Sequence, residues 1–390
     1  MKKKVCVFTG SRAEYGLLRP LIEKLGNDGG FDLKLLVSGM HLSEEFGCTF
    51  REIEEDGFEI DEKVDILGGS DTPVGIAKAV GRGVSGCSEA LERLSCDLVV
   101  ILGDRFEALA CAVAASLLRI PVAHLHGGEV TEGALDDGFR HAITKLSHLH
   151  FTAAEEYRRR VIQLGEEPGR VFCVGALGID GIKSLDLLSK EALERDLGIR
   201  FRARNLLVTM HPETLRDDRS ESQTKIVLDL LGELQETTLV FTSANADTGG
   251  GRINTLVERF VKAHPDHAYL FTSLGQRRYL STMRYVDAVV GNSSSGIIEA
   301  PYFKIGTINI GDRQKGRIRA GSVIDCAPRP DAIEKAFRTL YSPGFKRTLK
   351  NTENPYGDGA AADRIMKVLK SYDMRGILQK GFYDIRGETS

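Results

Sequence analysis

The chain has 390 residues, 42% of them apolar and 27% charged, with 52 Lys and Arg against 55 Asp and Glu for a net charge of −3. That composition belongs to a globular protein, and the length exceeds what one hydrophobic core usually serves, so two domains are expected. The weak net charge and the lack of a long basic run count against nucleic acid as a partner, and no apolar run is long enough to span a bilayer.

The first apolar run, residues 5–8 within MKKKVCVFTGSR, is too short for a signal-peptide core and reads as a strand. Further strand candidates are DLKLLV from 32, DLVVIL from 97, VAHLH from 122, HLHFTA from 148 and RVFCVG from 170. Helix-like segments lie between them at 15–25, 72–94 and 105–118. Strands that are apolar throughout and separated by helices predict a parallel sheet covered on both faces. Residues 179–204 contain no strong strand and are charged and helix-prone, which places the inter-domain connection there. A second strand set follows, with LLVTM from 206, TLVFTS from 238, AYLFT from 268, DAVVGN from 287 and TINIGD from 307. After NPYGDG at 354, residues 360–372 read as a terminal helix packing back on the first domain. The expected fold class is α/β, two Rossmann-like doubly wound domains, 1–178 joined by 358–390, and 179–357. Seven cysteines occur singly, without a C-x-x-C pair, and their odd number fits no disulfide framework. A reduced, cytoplasmic compartment is expected.

In such sheets ligands bind beyond the carboxyl ends of the strands. Seven strand ends here run into polar motifs: GSRAEYG, GDRFEA, HGGEVTEGALDD, HPET, ANADTGGGR, GNSSSG and GDRQKGR. Together they predict a polar, anion-tolerant cleft. Ser293, Ser294 and Ser295 stand where a helix should begin, and a helix N-terminus with free N–H groups suits phosphate. A plain N-cap is the simpler alternative, though it needs one serine rather than three. Glu299, in the first turns of that helix, would repel phosphate and suits ribose hydroxyls. Arg12, Arg105, Arg313 and Arg317 stand at strand ends, where guanidinium groups grip a diphosphate; singly, each also reads as a solvated surface arginine. GSRAEYG lacks G-x-G-x-x-G, and no P-loop occurs.

His124 and His126 form an H-x-H pair on a strand, which would point both rings to one side. Nothing completes a familiar ligand spacing, so no metal is expected, and His124 also reads as a satisfied core histidine. Asp104, Glu129, Glu132, Asp136 and Asp137 supply carboxylates for proton transfer. His211 opens the second domain's first loop, where it either bonds a phosphate oxygen or is structural; Asn245 and Asp247 either hold sugar hydroxyls or form a turn.

GSRAEYG, GDRFEA, HLHGGE…DD, RHAITK, HPET, NADTG, GNSSSG and GDRQKGR occur in the order seen in the hydrolysing UDP-N-acetylglucosamine 2-epimerases. The chain resembles that family from about residue 4 to about residue 370. The resemblance implies a glycosyltransferase-B-like fold with the active site in the interdomain cleft, no cofactor, a nucleotide-sugar substrate and a homodimer or homotetramer. With no sugar kinase domain following, the bacterial stand-alone form is expected. The implied reaction removes the C2 proton, eliminates UDP to a 2-acetamidoglucal, and adds water to release a free sugar of manno configuration. Asp104, Glu129 and Asp136 are the acid/base candidates, and His126 and His211 complete the expected catalytic group. Arg12, Arg105, His211, Ser293, Ser294 and Arg313 match positions contacting phosphates or ribose, Asn245, Asp247 and Glu299 match other nucleotide-sugar positions, and Arg317 is a further substrate-binding candidate. At His126 the animal enzyme and the non-hydrolysing bacterial relatives have glutamate, so the identity of the group taking the C2 proton stays open. The substrate implied first is UDP-N-acetylglucosamine, for sialic acid; the alternative is UDP- or GDP-linked N,N′-diacetylbacillosamine, for legionaminic acid. A non-hydrolysing epimerase, a glycosyltransferase and a non-catalytic nucleotide-sugar sensor are the remaining alternatives.

Overall fold

Two parallel sheets organise the chain, and the computed structural model describes residues 2–68, 72–131, 135–212, 220–244 and 250–385. The first unit draws on Met1–Val130, Ala134–Lys183 and Tyr356–Ser390, and Ser184–Pro355 forms the body of the second.

The first sheet contains β1 (Lys3–Thr9), β2 (Phe31–Ser38), β3 (Glu62–Val64), β4 (Leu98–Leu102), β5 (Val122–Leu125), β6 (Leu149–Thr152) and β7 (Val171–Cys173). Its order is β3-β2-β1-β4-β5-β6-β7, with every pairing parallel. Side chains alternate across a strand, so each strand contributes to two cores. Val5, Val7, Leu35, Val37, Leu98 and Val100 face one helical layer, while Cys6, Phe8, Leu36, Val99 and Ile101 face the other. Because both faces are covered, the strands must be apolar at every position. Helices Arg12–Asn27 and Ala361–Ser371 cover the first face through Leu18, Leu21, Ile22 and Leu25 and through Ile365, Met366 and Leu369. Helices Pro73–Leu94 and Phe106–Leu117 cover the second. Each such leucine or isoleucine contributes about 1.5–3 kcal/mol on burial. The carboxylate of Asp180 accepts the N–H groups of Ala361 and Ala362 at 2.9 and 2.8 Å. These are helix-terminal donors without intrahelical acceptors, so the pairing ties the C-terminal helix into this unit.

The second sheet contains β8 (Arg204–Thr209), β9 (Thr237–Thr242), β10 (Ala268–Phe271), β11 (Ala288–Gly291), β12 (Gly306–Ile310) and β13 (Val323–Cys326). Its order is β10-β9-β8-β11-β12-β13, again with parallel pairings. One core is built on Leu206, Val208, Leu239, Phe241, Ala288, Val290, Ile308 and Ile310. Among the described residues no helix is long and apolar enough to cross a membrane.

Both orders reverse direction beside their first strand. A crevice opens at such a switch point, outside the carboxyl ends of the two central strands. In the first unit these ends carry Gly10–Ser11 and Gly103–Arg105; in the second, Met210–His211 and Gly291–Ser293.

Candidate functional site

At the end of β4 Gly103 adopts φ +81, and the chain turns there into Asp104 and Arg105. Arg105 stands at the start of the Phe106–Leu117 helix, and its Nε and Nη2 donate to the buried Glu107 carboxylate at 3.2 and 3.1 Å. Beside it is a second buried carboxylate, Glu14, whose Oε2 accepts the Gly10 N–H at 2.7 Å while Oε1 is buried without a hydrogen bond. Burial, then the Glu107 charge, raises the Glu14 pKa to about 7. Arg105 thus meets acidic partners within its own unit. Arg12 is half-exposed and pairs with Glu52 at 3.2 Å.

The Leu135–Leu146 helix brings Asp136 and Asp137 in its first turn and Arg140 one turn later. Arg140 is buried; Nη1 donates to Asp137 at 2.8 Å and to the Glu129 carbonyl at 2.9 Å, and Nη2 donates to Asp104. A planar guanidinium can hold two carboxylates in fixed directions, which a point charge cannot. Asp136 is largely open to solvent, yet desolvation of its carboxyl, then the Asp104 charge, raises its pKa.

Strand alternation stops at Leu125, because His126 takes φ +63 and turns the chain. That conformation costs a non-glycine residue about 1–2 kcal/mol. At Gly128, φ is +79 and a Cβ would lie 2.4 Å from the Tyr157 carbonyl oxygen, so only glycine fits. This turn brings the buried Glu129 carboxylate 2.9 Å from His126 Nδ1, while His126 Nε2 accepts the Leu177 N–H at 3.4 Å. A backbone N–H can only donate, so Nε2 is the unprotonated nitrogen and Nδ1–H donates to Glu129. His124 behaves differently: Nε2 donates to the Gly103 carbonyl at 2.7 Å, Nδ1 meets Thr144 Oγ1 at 3.1 Å, and burial lowers its pKa to about 3. The two rings therefore serve separate partners, and His126 stands beyond the end of the strand on which the alternation was assumed. Among the described residues no group of three or more His, Cys, Asp or Glu is placed to hold a metal ion.

In the second unit Gly291 has φ +131, and a Cβ there would lie 1.9 Å from the Thr209 carbonyl oxygen. Glycine alone lets the end of β11 press against β8. Asn292 then accepts the His211 N–H at 2.7 Å and donates to the His211 carbonyl at 2.8 Å, one side-chain amide completing a rung between the two loops. The Asn292 carbonyl accepts from Arg313 Nη1 at 3.1 Å and Gln314 Nε2 at 2.9 Å, which adds the loop after β12. Arg317 lies in the same loop, its N–H donating to the Gln314 carbonyl at 3.3 Å. His211 is buried, and burial, then the Arg313 charge, lowers its pKa to about 4. It is neutral at pH 7.

The three serines divide their roles. Ser293 caps the helix by accepting the Ser295 N–H at 3.4 Å, Ser295 Oγ bonds Tyr279 Oη at 2.5 Å, and the Ser294 hydroxyl makes no hydrogen bond among the described residues. The helix itself, Ser294–Ile298, has only five residues, so its dipole adds less than the expected full helix would. Glu299 is half-buried at its end without a hydrogen-bonded side-chain partner among the described residues, and burial raises its pKa to about 7. Asn245, Asp247 and Glu132 lie outside the described residues.

Four participants were not anticipated: Glu14, Glu107, Arg140 and Asn292. One signal existed, since Ser11 and Glu14 have capping-box spacing; Ser11 Oγ accepts the Glu14 N–H at 3.4 Å, although the Glu14 carboxylate reaches Gly10 instead of Ser11.

Residues 23–370 match the family described as UDP-N-acetylglucosamine 2-epimerase. A Campylobacter jejuni GDP/UDP-N,N′-diacetylbacillosamine 2-epimerase (hydrolyzing) is 43% identical over 385 residues, 98% of this chain and 100% of that one. The Escherichia coli polysialic acid biosynthesis protein P7 is 38% identical over 385 residues, 98% of each chain. In fold, the chain is similar to the crystal structure of the Neisseria meningitidis UDP-GlcNAc 2-epimerase bound to UDP-GlcNAc, with a TM-score of 0.82 at 19% identity, covering 94% of this chain and 99% of the other.

Proposed function

The chain belongs to the UDP-N-acetylglucosamine 2-epimerase family, and on that basis we propose that it is a hydrolysing nucleotide-sugar 2-epimerase. The observation that carries this reading is the convergence of Asp104, Asp137 and the Glu129 backbone on one buried guanidinium beyond β4 and β5. Proton transfer needs carboxylates held at fixed positions, and Arg140 holds those of Asp104 and Asp137.

In the proposed reaction a base of the first unit, Asp104, Glu129 or Asp136, takes the proton from C2 of the sugar. The C–H electrons form the C1–C2 double bond as the C1–O bond breaks, and the nucleoside diphosphate leaves with that electron pair. Water then adds its oxygen to C1, and C2 receives a proton on the face opposite the one that lost it. The products are the nucleoside diphosphate and a free 2-acetamido sugar of manno configuration. Charge that develops on the departing diphosphate is met by groups assigned to it here: Ser293, Ser294, His211 and Arg313, with Arg12 and Arg105. Neutral His211 suits this as a hydrogen-bond donor. Glu299 and Arg317, with Asn245 and Asp247, are assigned to the rest of the nucleotide sugar.

UDP- or GDP-linked N,N′-diacetylbacillosamine is the substrate we favour, because the relative at 43% identity bears that name. UDP-N-acetylglucosamine is the second reading, favoured by the likeness to a polysialic acid biosynthesis protein at 38% identity. Purified protein incubated with each of the three nucleotide sugars, with nucleoside diphosphate release measured, separates the two. The diacetylated substrates should give the higher kcat/KM; release from none of the three would overturn the proposal.

A further inference from the structure

His126 occupies an unusual position for a group asked to accept a proton. It is the first residue beyond β5, in a left-handed conformation, with its side chain 14% exposed. Both ring nitrogens are engaged: Nδ1–H donates to the Glu129 carboxylate at 2.9 Å, and Nε2 accepts the Leu177 N–H at 3.4 Å. Leu177 opens the Leu177–Ser184 helix, so its N–H is one of the helix-terminal donors that lack an intrahelical acceptor. The imidazole is thus a cap for that helix, supplied from 51 residues away. A proton on Nε2 would set two donors against each other and break this link. The Glu129 backbone is restrained independently, its carbonyl accepting from Arg140 Nη1 at 2.9 Å. With both ring nitrogens engaged, the imidazole is not placed to exchange a proton with a substrate.

From this we infer that His126 is a positioning residue, a neutral Nδ1–H imidazole that orients the Glu129 carboxylate and anchors it to the start of the Leu177–Ser184 helix. The inference rests on the reading of Glu129 as an acid/base group. It also accounts for an imidazole standing at this position: a glutamate has no donor to offer Glu129 unless protonated, whereas a neutral imidazole donates and accepts at once.

Two measurements test it separately. Two-bond ¹H–¹⁵N spectra of the histidine side chains, with His126 assigned by its loss in His126→Gln, should show the Nδ1–H tautomer at pH 7.5. The Nε2–H tautomer or an imidazolium there would overturn the inference, whatever the protein catalyses. In kinetics, His126→Ala should lower kcat about 10²-fold through misplacement of Glu129, with KM near the parental value. His126→Gln, whose amide both donates and accepts, should recover most of that loss. A Gln variant no better than Ala, or a Glu129→Gln variant with parental turnover, would overturn it. If the parent releases nucleotide from no nucleotide sugar, the proposed function fails and the tautomer alone decides this inference.

Discussion

Arg140 and Asp104 form an ion pair in which the guanidinium side chain is 3% exposed and the carboxylate 27% exposed. The buried partner holds one oxygen of the more open one, so the Asp104 carboxylate is restrained while part of it remains exposed.

Arg140→Lys keeps the charge but loses the fork that reaches Asp104, Asp137 and the Glu129 carbonyl together. Turnover should fall about 10²-fold while the fold persists, measured as kcat alongside a thermal melt. Arg140→Ala removes charge-assisted hydrogen bonds to two partly exposed carboxylates and a carbonyl and should cost about 1–3 kcal/mol of stability.

Asp104→Asn and Glu129→Gln preserve shape but remove the ability to exchange a proton. Each should lower kcat by about 10²–10⁴-fold. Near-normal turnover in both variants would remove these two carboxylates from the mechanism.

The serines give a graded series. Ser293→Ala removes a cap and should cost about 1 kcal/mol of stability. Ser294→Ala leaves the cap in place, so a rise in KM with an unchanged melting point would identify its hydroxyl as a substrate contact. Unchanged kinetics in the double alanine variant would leave both residues with structural roles only.

Gly291→Ala places a methyl group against the Thr209 carbonyl, at a φ of +131 that side chains avoid. The switch point of the second unit cannot then close. Loss of soluble folded protein, or a melting point lowered by many degrees, is expected; a parental melting point would contradict the packing described.

Stability should respond to pH through two opposed sets of groups. His41, His124 and His211 have pKa values lowered by burial to about 4, 3 and 4. Their ordinary value is about 6.5, so below that pH the unfolded chain binds protons the native state refuses, and stability falls as pH drops toward 4. Glu14 acts in the other sense, since its folded pKa of about 7 lies above its unfolded value. Its penalty is absent below the unfolded value and fully present above pH 7. Glu14→Gln should therefore raise the melting point more at pH 8 than at pH 5; an equal shift at both would show that the Glu14 proton is unimportant to stability.

The central strands were legible because a strand covered on both faces must be apolar at each position, as in LVVIL of β4. The edge strands β3 and β13 were not, since EKV and VIDC are short and partly solvated and carry no apolar run. The strand-end motifs stood out as glycine and charge following an apolar run. Arg140 and Glu107 did not, because their burial is decided by partners distant in sequence or by the packing of a neighbouring strand end. The H-x-H expectation assumed that the strand continues through His126, whereas β5 ends at Leu125. The serine helix is short for a reason visible in the sequence: Pro301 has no N–H to donate back to Ile297, so the helix cannot extend through it.

The most direct test of the proposed chemistry is to run the reaction in D₂O and analyse the sugar product by NMR. Elimination followed by hydration predicts a free 2-acetamido sugar of manno configuration, with deuterium at C2 and free nucleoside diphosphate in equal amount. A product still linked to the nucleotide, or a free sugar retaining protium at C2, would contradict it.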